Sequence, residues 1–157
     1  MLIVVGLLFG RHVDAPVTPH IPPAGPAPQS ASPDTPTLFL GEEAILLDIA
    51  DTEAKQELGL GGRESLLGNR GMLFVFETSG FMGIWMKGMH FSLDILWLKE
   101  ANDASHLVVV DMQENVSPGT YPKVFYPRAS ASYVLEMGAG AVAEHGITVG
   151  SVLTLKK

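Results

Sequence analysis

Apolar positions along this chain come in short runs broken by glycine, proline or polar clusters, the punctuation of strands rather than of long helices. The runs are AILLDIA (44–50), GMLFVF (71–76), FMGIWM (81–86), LDILWL (93–98), HLVVVDM (106–112), ASYVLEM (131–137) and SVLTL (151–155). Two stretches carry a helical pattern instead. TEAKQELGL (52–60) has Thr52 as N-cap and acidic residues in its first turn, and GAVAEH (140–145) forms a short turn ended by Gly146. The pattern predicts a mostly β (α+β) domain: a small curled sheet or β-barrel of about seven short strands, mostly antiparallel, with one or two short helices.

Before residue 38 the pattern changes. Leu2 to Phe9 form an apolar run far below the roughly 20 residues a bilayer-crossing helix needs. The run fits the apolar centre of a secretory signal or an anchor remnant, although the charged stretch that normally precedes one is missing. Val13-Asp14-Ala15 resembles a small-residue cleavage site, with Pro16 placed to hinder processing. A truncated start or a short core strand is the alternative. Residues 16–36, PVTPHIPPAGPAPQSASPDTP, hold eight of the eleven prolines and almost no large apolar side chains. Such a stretch cannot bury a core and is expected to be an extended spacer. The predicted organisation is therefore an apolar segment (1–15), a Pro-rich linker (16–37) and a single β-rich domain (38–157), exported to the periplasm or beyond and attached to a membrane if the first segment stays in it.

Composition narrows the partners. Of the 157 residues, 46% are hydrophobic and 17% charged, and the net charge is −7. A chain that negative, without a cluster of Lys or Arg, is repelled by phosphate backbones, so nucleic acid is not an expected partner. With no cysteine there is no disulfide framework, thiolate metal site or cysteine nucleophile.

Three ordered segments carry a family resemblance: ELGLGGRESLLGNRGMLFVF (57–76), WMKGMHFSLDILWL (85–98) and YVLEMGAGAVAEHGITVGSVL (133–153). Over roughly residues 44–155 the chain resembles the uncharacterised family known as domain of unknown function 192. That family's pattern runs Gly-Leu-Met-x-Arg, Gly-Met-Leu-Phe-x-Phe, Trp-Met-Lys-Asn-Thr, Pro-Leu-Asp-Ile, Val-Leu-Glu and a closing Gly-Asp. The resemblance implies a small β-rich domain, frequently exported, with no substrate, cofactor or catalytic residue established for it. This chain departs from the pattern at Gly61, Gly88-Met89, Ser92 and Ser151. Gly61-Gly62 is expected to make the turn before Arg63 more flexible than a methionine-bearing one.

Candidate chemistry concentrates in FMGIWMKGMH (81–90) and at two carboxylates. Both faces of 81–86 are apolar, as in a strand buried on both sides. Lys87 ends the run at the rim, and a hairpin would bring its ammonium to Asp94, seven residues on, as a structural rim pair or part of a site. Glu136, flanked by Leu135 and Met137, needs a partner such as Arg63, Lys87 or backbone amides, or else a raised pKa. Paired with Arg63 it would lock segment 52–63 onto the barrel. Paired with Asp94 it would supply the acid and base of a hydrolase. No catalytic motif is recognisable, and a non-enzymatic role is favoured.

Met82, Met86, Met89 and His90 are donors suited to Cu(I), but methionines interleaved with a core are ordinary fillers. Neither metal nor other cofactor is therefore expected. The connection QENVSPGTYPKVFYPRAS (113–130) places Tyr121, Phe125 and Tyr126 among three prolines. It reads either as one wall of a groove, with Trp85, Lys87 and Arg128 reading an anionic group on a small molecule, glycan or peptide, or as a plug shielding strand edges. The expected ligand-binding set is Arg63, Trp85, Lys87, Asp94, Tyr121, Tyr126 and Arg128. The function expected is a tethered extracytoplasmic binding or accessory module, with a hydrolase and a purely structural domain as alternatives.

Overall fold

The computed structural model describes residues 35–156; residues 1–34 and Lys157, which include the expected N-terminal segment and nearly all of the Pro-rich linker, lie outside the described residues. The strands are β1 (Thr37–Leu40), β2 (Glu43–Ala50), β3 (Arg70–Gly80), β4 (Ile84–Trp85), β5 (Leu93–Glu100), β6 (His106–Val116), β7 (Val124–Phe125), β8 (Ala131–Gly138) and β9 (Val152–Lys156). Two short helices, α1 (Glu53–Leu58) and α2 (Ala141–Glu144), and a single 3₁₀ turn at Pro118–Thr120 complete the described elements. Seven strands close into a barrel in the order β1-β2-β3-β8-β5-β6-β9, with β9 pairing back onto β1. The barrel is mixed: β2 and β3 run parallel, while its other neighbours are antiparallel. The parallel pair exists because residues 51–69 form a crossover long enough to carry the chain back to the same end.

Alternation along the strands sorts side chains onto two faces. On β5, Leu96 and Leu98 join an inner core with Leu38, Leu73, Leu107 and Leu153, while Ile95 and Trp97 join a second, outer cluster with Phe74, Met86 and Val134. Burying such side chains stabilises by roughly 1.5–3 kcal/mol each, so both layers hold the fold. The inner core is closed at one end by α2, whose Ala141 and Val142 pack into it. The outer cluster lies on the β3-β8-β5 face and is covered by the β4 segment and the loops around Leu60 and Met89. Trp97 ties cover to sheet, donating its indole N–H to the Met82 carbonyl at 2.7 Å.

Both helices form where expected. The Thr52 hydroxyl accepts from the Lys55 N–H at 3.4 Å, and Gly59 ends α1 with φ of 52°. Three strand expectations change. Of the run 81–86 only Ile84 and Trp85 form a strand, and it is not buried on both sides: Ile84 is buried, whereas Trp85 is 44% and Phe81 62% exposed. The connection 113–130 is not structureless, because β6 continues to Val116 and β7 pairs with β4. Gly83 permits that pairing: a Cβ there would stand 2.6 Å from the Tyr126 ring and 2.7 Å from a Val124 methyl. Finally, β1 adds a strand that its four residues beside the Pro-rich stretch did not announce.

Candidate functional site

Pairing register lays one row of side chains across the outer face of the barrel: Asp48 on β2 opposite Met72 on β3, Met72 opposite Glu136 on β8, and Glu136 opposite Ile95 on β5. Above this row α1, the Gly59–Gly61 loop and β4 enclose a cavity of about 290 Å³. Phe74, Phe76, Ile84, Trp85 and Met89 supply apolar walls, and Glu53, Gln56, Glu57, Lys87 and Glu136 supply its polar groups. That volume suits a small molecule or the end of a larger one.

Glu136 is 4% exposed, and among the described residues none donates a hydrogen bond to it. Desolvation by burial pushes its pKa up to about 8, against a smaller opposing pull from the Arg63 charge. At neutral pH it is a protonated acid in an apolar wall. The expected Arg63–Glu136 lock is not what forms. Arg63 donates to Asp48 Oδ2 at 2.7 Å, and Arg70 binds the other Asp48 oxygen at 3.1 Å. Burial alone would raise the Asp48 pKa, but hydrogen bonds and charge from the two guanidiniums outweigh it and lower it. Asp48 therefore stays charged and holds the 61–70 segment, leaving Arg63 to act on Glu136 only at a distance.

Lys87 and Asp94 do not meet either. The Lys87 ammonium lies 3.7 Å from Glu57 Oε1 and 5.4 Å from the Trp85 ring centroid, at the mouth of the cavity. Asp94 is fully buried, and its carboxylate accepts backbone N–H groups of Asn115 (2.8 Å), Gly140 (3.0 Å) and Val142 (2.9 Å). Because Asp94 lies opposite Met137 of the inner core, and Glu136 opposite Ile95 of the outer cluster, strand alternation puts the two carboxylates on opposite faces. They form no acid/base pair. Asp94 is the anchor that seats α2 over the barrel end.

The aromatic loop divides. Tyr121 stands edge-on to Trp85 at 6.4 Å between centroids, and Tyr126 packs on Gly83, so both frame the β4 segment. Arg128 is occupied: its guanidinium and its backbone N–H hold the buried Asp111 carboxylate, with Nη2 to Oδ1 at 2.5 Å and N to Oδ2 at 2.6 Å. Hydrogen bonding from the Arg128 side chain lowers the Asp111 pKa despite burial, and the pair fastens the loop to β6 rather than reading an anion. Met86 and Met89 are buried in the outer cluster and Met82 packs against it, whereas His90 turns to Glu64 at 3.4 Å and is half exposed. The four potential soft donors are thus split between core and surface. No group of three or more His, Asp and Glu suited to a metal occurs among the described residues.

Several cavity residues gave no sequence signal as site residues: Glu53, Gln56 and Glu57 on α1, and Phe74 and Phe76 on β3. The available signal was parity, since Phe74 and Phe76 share the face of Met72, which the register puts beside Glu136. Two departures from the family pattern also meet here. Gly62 donates its N–H to the Gly88 carbonyl at 2.9 Å, and a Cβ on Gly61 would lie 2.9 Å from the Leu58 carbonyl oxygen and 3.3 Å from that of Lys87. Rather than only loosening the turn, these glycines let the two loops at the cavity touch by backbone.

A closed mixed barrel with one covered outer face and an acid-floored cavity beneath the cover defines a small barrel domain with room for a ligand. The chain belongs to the DUF192 family, described as an uncharacterized ACR, whose model matches residues 37–155. No curated protein matches the chain. It is similar to the crystal structure of a Sinorhizobium meliloti 1021 protein suggested as a transcription regulator, at 25% identity and a TM-score of 0.65, covering 77% of this chain and 90% of that one. A Novosphingobium aromaticivorans DSM 12444 protein of unknown function shares the fold at 22% identity and a TM-score of 0.66, covering 84% of this chain and 94% of that one. No helix among the described residues is long and apolar enough to cross a membrane.

Proposed function

We propose that this chain is a small-ligand binding or accessory module, held outside the cytoplasm by its N-terminal segment, and that the cavity beneath α1 and β4 is its binding site. One observation carries the reading. A buried acid without a hydrogen-bond partner forms part of a cavity walled by Phe74, Phe76 and Trp85. None of the buried side-chain polar atoms among the described residues lacks a partner, so the Glu136 carboxyl oxygens, which accept no protein hydrogen bond, are reached through the cavity, where a ligand group can meet them. The placement of Asp94 and Glu136 on opposite faces of the sheet removes the acid/base pair a hydrolase would have used, and this favours binding over hydrolysis. The extracytoplasmic placement is supported by the apolar run at 2–9 and the Pro-rich stretch behind it.

The test is the melting temperature of the full-length chain against glycans, cell-wall fragments, peptides and small aromatic compounds. A ligand specific to the folded state stabilises it by about 2.7 kcal/mol at a hundred times its dissociation constant. The expected result is a shift that Trp85→Ala abolishes. Silence across the panel, or a shift untouched by Trp85→Ala, would overturn the assignment of this cavity.

A further inference from the structure

Resting on the binding reading, we propose that the cavity takes an organic cation, an ammonium group carried on an apolar body, with its charge placed against the Glu136 carboxylate. The lining is chosen for that charge. Three acidic side chains, Glu53, Glu57 and the protonated Glu136, face a single ammonium, Lys87. Gln56 directs its amide hydrogens to the Ala50 and Val75 carbonyls at 3.2 and 2.8 Å, so what its side chain has left is an acceptor. The polar side chains of the site are mostly acceptors waiting for a donor.

The aromatic walls point the same way, because a cation is attracted to the face of an indole or phenyl ring. The mouth already displays this arrangement in miniature. The Lys87 ammonium sits between the Trp85 ring and Glu57 at 5.4 and 3.7 Å, the contacts a ligand's own ammonium would make one step deeper. An anionic ligand meets the opposite situation. Arg63 is bound to Asp48, Arg128 to Asp111, and Lys87 to Glu57, so none of these cations is without a carboxylate.

Binding is coupled to a proton. Burial keeps Glu136 protonated up to about pH 8. When the ammonium enters, the Glu136 proton leaves to solvent and an ion pair replaces the neutral acid, so charge in the cavity stays balanced. The other charged groups around it are Glu53 and Glu57 on α1, Lys87 beyond β4, Arg63 on the loop after α1 and Asp48 on β2. Below the raised pKa, affinity should climb about tenfold per pH unit, the slope of one released proton.

Isothermal titration of the full-length chain with 2-phenylethylammonium, 2-phenylethanol and 3-phenylpropanoate tests this. The ammonium compound is expected to bind at least ~10-fold tighter than the alcohol, and the carboxylate more weakly than either, by the charge balance of the lining. Titration in two buffers of different ionisation enthalpy should show release of about one proton per ammonium bound at pH 6.5. Glu136→Gln should flatten the pH dependence and reduce the ammonium's advantage over the alcohol. Tighter binding of the alcohol or the carboxylate, or ammonium binding without proton release, overturns the cation assignment while leaving a binding site. Failure of all three compounds overturns it as well, and the wider thermal panel then decides whether the binding reading falls with it.

Discussion

Asp94 and Glu136 sit on adjacent strands, one register position apart, and both are buried. Asp94 turns toward the end of the inner core and accepts three backbone N–H groups, including two from the start of the α2 segment. Glu136 turns to the outer face and accepts none, so desolvation dominates and the proton stays on. One acid is thus a hydrogen-bonded fastener and the other a neutral group facing a cavity. The contrast separates the barrel's two layers. The acid of the inner layer is held by backbone donors, whereas the acid of the outer layer has no protein donor and opens onto the cavity, the kind of local inconsistency that stable folds tolerate at functional sites.

The largest effect should come from breaking the satisfied member. Asp94→Ala leaves three N–H groups, that of Val142 buried and those of Asn115 and Gly140 partly so, without their carboxylate and should lose about 3–5 kcal/mol in urea unfolding. Asp94→Asn, which keeps one acceptor oxygen, should lose less. If Asp94→Ala unfolds like the parent chain, Asp94 is not the fastener of α2.

Next in size is the pH dependence of the unsatisfied member. Its folded pKa, about 8, lies above the ordinary 4.5, so between those values the folded state binds more protons than the unfolded state. Stability is then highest below the ordinary value and falls as pH rises toward 8, by up to about 1.4 kcal/mol per pH unit from this group. Glu136→Gln should remove that slope and leave the protein more stable than the parent at pH 8.5. Denaturant midpoints of both chains at pH 5, 6.5 and 8.5 measure it, and parallel curves would mean that Glu136 ionises freely.

How much of this contrast could be read beforehand depends on register. Short apolar runs with period-two alternation made the barrel legible, and Glu136 stood out because an acid between Leu135 and Met137 contradicts its neighbourhood. Which face it occupied was not legible, because a one-residue slip reverses inside and outside. Of the outcomes open to Glu136, the raised pKa holds and the Arg63 lock does not. The parallel β2–β3 pairing brings Asp48 beside Arg70 and within reach of Arg63, and parallel pairing depends on a crossover that local pattern does not reveal. The strands β4 and β7, two residues each, fall below any periodicity signal, so the pattern offers Trp85 both as part of a strand buried on both sides and as part of a groove wall, and its 44% exposure selects the wall.

The cover itself can be tested at Gly83. An added Cβ would push into Tyr126 and Val124, and since β4 and β7 meet over only two residue pairs, the cover should yield before the barrel does. Gly83→Ala is expected to destabilise by about 1–3 kcal/mol, the range for overpacking. Amide exchange should rise in residues 81–91 and 121–127 and stay unchanged in β2, β3 and β8. Uniform loosening would show that the two layers unfold as one unit.

The smallest effect on stability should come from Lys87, and that makes it the sharpest probe of the mouth. Its ammonium is half exposed and pairs with an exposed Glu57 at 3.7 Å, so Lys87→Ala should change stability by less than ~1 kcal/mol. The same substitution removes the lone cation of the lining and clears the face of Trp85. Ammonium ligands should therefore bind Lys87→Ala more tightly, by about 2- to 10-fold if removal of one partly screened charge is worth 0.5–1.4 kcal/mol. Weaker binding would instead make Lys87 a direct contact for an anionic or hydrogen-bond-accepting ligand, and the comparison between a hydrogen-bonded fastener and a neutral, cation-seeking acid would lose its second half.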